Sequence, residues 1–209
     1  LRDILYFPIN VIVPDNEQDI VLEGRELELQ KEVNELKELL EINNSLTDFT
    51  SVNATVVNRN TAYWNSQITI NKGSNSKIKE GMAVIDGNGL VGRVEKVGFN
   101  TSVVKLITKN SSNNKISVKI WANGEEINKV LTIDEDNNMI ISGIDNSFKL
   151  EEGALVTTSG LSDIYPSGII IGYVDKVEND KFGISKRAYI KHKSNLDNIR
   201  FVSVLIRSS

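Results

Sequence analysis

Two hydrophobic periodicities divide the chain. Between Glu17 and Ser45, Leu22, Leu29, Val33, Leu36 and Leu40 recur with a four-three-four spacing after Leu29, the heptad stripe of a coiled coil. Proline is absent there, Gly24 is the only glycine, and Leu, Glu and Lys dominate, all good helix formers. Glu26 takes the seam position between Leu22 and Leu29, so the seam is imperfect at that turn. A helix with so narrow an apolar stripe is marginal alone in water, which predicts a partner helix. Leu29, Val33, Leu36 and Leu40 are the expected dimerisation seam, with packing of the stripe on the chain's own globular part as the alternative. Residues 1–16 read as an irregular lead that breaks at Pro14-Asp15-Asn16, and Asn43, Asn44, Ser45 and Thr47 read as helix end and hinge, giving a helical region of 17–48.

Beyond residue 50 the period falls to two. Short alternating runs are predicted as strands at 52–58, 63–71, 82–85, 90–97, 102–107, 116–121, 129–133, 139–142, 155–158, 169–177, 184–190 and 201–206. Turn signals such as Asp86-Gly87-Asn88-Gly89 and Asn123-Gly124 separate them. Strands this short, punctuated so often, predict small β-barrels or sandwiches rather than βαβ layers. The fold class expected is mainly β: the N-terminal coiled-coil helix, a first barrel over 50–110 and a second over 111–209. A C-terminal strand is a candidate to complete the first barrel. An internal echo supports two similar modules. Gly81, Val84, Gly92, Val94 and Val97 align with Gly153, Val156, Gly172, Val174 and Val177, and the later copy carries the additional segments T-S-G-L and Y-P-S-G.

Composition narrows the function classes. Forty per cent hydrophobic and 25% charged residues over 209 positions describe an ordinary folded protein. Cysteine is absent, which removes disulfide frameworks and cysteine metal sites. The net charge of −4 conceals nine acids against three bases between Glu17 and Glu41, leaving a mild basic excess elsewhere. That excess is too diffuse for a nucleic-acid footprint. No apolar run approaches the roughly 18 residues of a membrane helix, and the stretch from Ile4 to Val13 is interrupted by Pro8. The chain begins at Leu rather than Met, so an upstream segment is expected.

Few residues offer catalytic chemistry. Thr158-Ser159-Gly160 invites a nucleophile reading, but the sole histidine, His192, follows the serine and sits between two lysines, where it reads as solvated. A chymotrypsin-like protease needs His, Asp and Ser in that order. G-x-S-x-G and phosphate-loop motifs are absent. No catalytic, metal or cofactor site is expected, and a serine hydrolase is the weakest alternative. Trp64 and Trp121 fall in alternating strands and read as core residues. Exposed strand edges and the long 158–168 loop are the better candidates for protein contact.

Seven blocks in order then carry a family resemblance: A-T-V-V-N-R at 54–59, W-N-S-Q-I-T-I-N-K-G-S at 64–74, G-M-A-V-I at 81–85, G-L-V-G-R-V at 89–94, T-S-V-V-K-L-I-T at 101–108, T-T-S-G-L at 157–161, and Y-P-S-G-I-I-I-G-Y-V at 165–174, closed by L-D-N-I at 196–199. Behind a Leu/Glu-rich helix, this series resembles the bacterial rod shape-determining MreC family across about 20–206. The resemblance implies a non-enzymatic scaffold of the cell-elongation machinery, with two barrels arranged as in chymotrypsin-like proteases but without their catalytic residues. It also implies dimerisation through the coiled coil, here Leu29, Val33, Leu36 and Leu40, and higher self-assembly in some members. The implied partners are the elongation-class penicillin-binding transpeptidase outside the membrane and MreD within it. The implied location is the extracytoplasmic face, anchored by an N-terminal membrane helix, which makes 1–16 a juxtamembrane lead. A transport adaptor is the alternative from another class, since such proteins also join helices to β-barrel modules, but it needs two antiparallel helices.

Overall fold

The computed structural model describes residues 17–45, 49–59, 66–108, 115–162, 164–180 and 183–207. The expected lead at 1–16, Thr47 of the hinge and Trp64 lie outside them. Among the described residues there is one α-helix, α1 (Glu17–Ser45), followed by twelve strands. These are β1 (Phe49–Asn58), β2 (Gln67–Ile70), β3 (Ala83–Ile85), β4 (Leu90–Val97), β5 (Ser102–Leu106), β6 (Ile116–Ala122), β7 (Glu125–Ile133), β8 (Met139–Asp145), β9 (Leu155–Thr158), β10 (Ile170–Asn179), β11 (Ser185–His192) and β12 (Phe201–Arg207). The chain separates into two units, Leu1–Glu35 and Leu36–Ser209. The first unit's described part is helix, and the second holds the helix end and every strand.

The strands form two closed barrels, β1-β12-β3-β4-β5-β2 and β10-β11-β8-β7-β6-β9. Closure leaves neither sheet an open edge, so the strand edges expected to serve as contact sites are already paired. β12 answers the question that the 110/111 boundary left open. It runs antiparallel to β1 from Phe49↔Arg207 to Thr55↔Phe201, and to β3 at Ser203↔Ile85 and Val204↔Val84, inside the first barrel.

Alternation explains why β3 and β12 read as nearly continuous apolar runs. Val84, Val91, Val94, Val202 and Val204 fill the first barrel together with Ile68, Ile70 and Val104. Their neighbours Ala83, Ile85, Leu90 and Leu205 face the other way and join one cluster with Val118, Ile120, Val156, Ile171 and Ile190 of the second barrel. One face of this wall fills a barrel and the other is the joint between barrels. Both faces are dry, as in sheets covered on both sides.

The echo is structural as well as sequential. Gly81 and Gly153 share a φ of 86°, and each donates its N–H to the matched valine, Val94 at 2.9 Å and Val174 at 2.7 Å. The register slips at Val94/Lys96 and at Val174/Lys176, the same place in both copies. Such bulges bend a strand enough to close a small barrel.

Two sequence expectations change here. β7 starts at Glu125 instead of Lys129. Asn123 (φ 51°) and Gly124 (φ 80°) make a two-residue hairpin turn that aligns Ala122 with Glu125 at once. The polar residues after that turn had hidden its strand. Trp121 is not a core residue. It alternates with inward-facing Val118 and Ile120 and so points outward, 44% exposed, with Lys119 Nζ 5.2 Å from its ring centroid.

Candidate interaction surfaces

On the helix, the residues expected as a seam are all open. Within the first unit Leu29 and Val33 are 56% and 47% exposed, and within the second Leu36 and Leu40 are 39% and 55% exposed. Leu39, outside that stripe, is buried. The helix end rests on the β3–β4 turn, where a Cβ on Gly87 would lie 2.4 Å from Glu38 Cβ and 3.0 Å from Leu39 N. Within the second unit one helix face is thus used, while Leu36 and Leu40 stay exposed.

That same Asp86–Gly89 turn also ties the barrels together. Asp86 Oδ1 accepts from the N–H groups of Asn88 and Gly89, both at 2.9 Å, and from Ser194 Oγ at 2.7 Å. The Ser194 bond brings in the segment just past β11. A Cβ on Gly89 would lie 2.1 Å from the Ile170 carbonyl oxygen. His192 Nε2 lies 2.7 Å from the Leu90 carbonyl oxygen and Nδ1 lies 2.8 Å from that of Ser194. The expectation of a solvated His192 is therefore corrected: it is half-buried and stitches the second barrel to the first. Sequence reasoning missed it because the flanking Lys191 and Lys193 suggested solvent, whereas β11 brings the imidazole alone to the joint.

Within the 158–168 loop, Gly160, Ser162 and residues 164–167 line a cleft between the barrels. Thr158 anchors the loop: its hydroxyl donates to the Pro166 carbonyl and accepts from Ile169 N–H at 2.9 Å. Gly160 has φ +74°, and a Cβ there would lie 2.7 Å from Ser167 Cβ, so both conformation and space call for glycine. Ser159 Oγ accepts from Leu161 N–H at 3.3 Å. With His192 engaged by two carbonyls elsewhere, the serine and the histidine do not form a catalytic pair.

Tyr165 of this loop is 5% exposed. Burial pushes its phenol up to about 12, against an opposing influence from the Arg93 charge. An unfolded tyrosine ionises near 10, so folding keeps the proton and stability falls as pH rises from about 10 to 12, by roughly 3 kcal/mol. In a phenolate absorbance titration Tyr165 is expected to ionise late, and Tyr165→Phe should remove that late step. An unchanged titration curve would refute the assignment.

Two closed six-stranded barrels that share one apolar wall, preceded in the chain by a single described α-helix, define a mainly β protein of two joined barrels. The family model described as rod shape-determining protein MreC, barrel core, matches residues 56–206. The chain belongs to the MreC family. It is 36% identical over 189 residues to the cell shape-determining protein MreC of Listeria monocytogenes, covering 90% of this chain and 64% of that relative. Among solved structures, Listeria monocytogenes MreC superposes with a TM-score of 0.72 at 36% identity over 92% of both chains. The structure of a complex between penicillin-binding protein PBP2 and MreC from Helicobacter pylori matches 75% of this chain with a TM-score of 0.57 and 19% identity, a likeness of fold. Among the described residues there is one α-helix, not the antiparallel pair of a transport adaptor, and no helix long and apolar enough to cross a membrane.

Proposed function

We propose that the chain is the extracytoplasmic part of a non-enzymatic scaffold that maintains cell shape by positioning peptidoglycan synthases. The stem dimerises in parallel through Leu29, Val33, Leu36 and Leu40, and each stem presents two barrels. A membrane helix upstream of the stem tethers the full-length protein in a single pass. The partners in this reading are the elongation-class penicillin-binding transpeptidase outside the membrane and MreD within it, with no nucleic acid. Its precedent for the transpeptidase is the Helicobacter pylori MreC, whose structure is of a complex with PBP2. Any change in reaction rate would belong to the transpeptidase, held by the scaffold in an active conformation.

The observation that carries the dimer is the open heptad face: four large apolar side chains at coiled-coil spacing, each at least 39% exposed. Leu36→Asp puts a charge in that seam, where pairing would desolvate it. The expected result is a monomer by light scattering with an unchanged β signal in circular dichroism; a surviving dimer would rule out the seam. Two barrels on one stem also raise the effective concentration of a second contact. The native chain should therefore bind immobilised transpeptidase ectodomain more tightly than the Leu36→Asp monomer. Absence of binding by both folded proteins would overturn the partner.

A further inference from the structure

Gly160, Ser162 and residues 164–167 line a cleft of about 500 Å³, a volume typical of binding sites. Its floor is apolar, with Phe49 of β1, Met82 beside β3 and Leu205 of β12 from the first barrel, and Ile164 and Tyr165 from the loop. The lining also holds Lys79 and Arg207, both exposed, and among the described residues Glu80 is its only acid. Neither cation belongs to an ion pair among the described residues. In a chain of net charge −4, this is a locally positive rim around an apolar floor. Apolar centre and charged rim are the anatomy of a protein contact. The wall is set in advance by the Thr158 bridge and the Gly160 turn, so little ordering is required of it on binding.

We propose that this inter-barrel cleft receives an apolar peptide segment bearing acidic side chains, contributed by a partner protein. The apolar side chains lie over Phe49, Leu205 and Ile164, and the carboxylates meet Lys79 and Arg207. The inference rests on the scaffold reading for its partner but not for its chemistry.

Calorimetric titration of the full chain with the peptide Leu-Glu-Phe-Glu-Leu, and with its counterpart carrying lysine at both glutamates, tests the chemistry. The acidic peptide is expected to bind and the lysine peptide not to. The double variant Lys79→Glu/Arg207→Glu, whose exposed positions leave the thermal melt unchanged, should bind the acidic peptide at least tenfold more weakly and gain affinity for the lysine peptide. No saturable binding up to millimolar peptide, or equal binding before and after the charge reversal, overturns the proposal. The same variants on transpeptidase ectodomain separate the two readings. Ectodomain binding that ignores the charge reversal removes the cleft and leaves the scaffold. Peptide binding without ectodomain binding keeps the cleft and removes that partner.

Discussion

A chain that ends at Arg200, lacking β12, is expected to be unable to complete its first barrel. The deletion unpairs β1 along seven registered positions and β3 along two. It also strips out Val202, Val204 and Leu205, all buried. At roughly 1.5–3 kcal/mol per buried aliphatic side chain, the loss is about 5–9 kcal/mol. That approaches the entire stability of an ordinary domain, about 5–15 kcal/mol. Leu205 belongs to the cluster that joins the barrels, so the second barrel is also left with an uncovered apolar face. The expected product is insoluble or melts without a cooperative transition. A truncated chain with the native melting curve would show that β12 is dispensable.

The second large effect is expected from a single methyl group. A Cβ on Gly92 would lie 2.1 Å from the Lys105 carbonyl oxygen, and one on Gly172 would lie 2.0 Å from that of Lys191. Both obstacles are backbone of the neighbouring strand, so neither can rotate away. Gly92→Ala and Gly172→Ala should each cost roughly 3 kcal/mol or more, at the top of the overpacking range, seen as a drop in the urea midpoint. Gly24→Ala, in the helix with nothing within 4 Å, is the control and should stabilise by up to about 1 kcal/mol. Equal midpoints for Gly172→Ala and the native chain would mean that β10 and β11 do not approach as described.

These two glycines mark how far the sequence alone could be read. The paired block G-L-V-G-R-V and G-I-I-I-G-Y-V signalled two related modules, and the copies do share their bulge and their close strand approach. The period of two located most strands, because a barrel wall must alternate. It fell short where a residue's environment depends on distant segments. Trp121 was misplaced because alternation gives two faces but does not say which is inside. The phase became certain only once Val118 and Ile120 were seen in the core. His192 and Asp86 are 106 positions apart in sequence, and no local pattern indicates that each would meet the Leu90–Ser194 joint. The heptad stripe was legible because its spacing is local. Leu39, one residue before Leu40, was not, since its burial depends on a turn nearly fifty residues away.

The first barrel contains both the earliest and the latest strands of the β-region, and this sets an order in time. A chain emerging from its amino terminus has β6 to β11 available as a complete set before β12 exists. The second barrel then has all its own strands and lacks only the cover of the shared wall, while β1 to β5 must wait for the last segment, a long-range closure of the slow kind. The barrel whose first strand follows the helix in the chain is therefore finished last, although that strand is made first. Completion of that barrel reports that the β-region has been made through to its final strand. Products cut short never assemble the wall that the two barrels share, and so never present the cleft that lies between them.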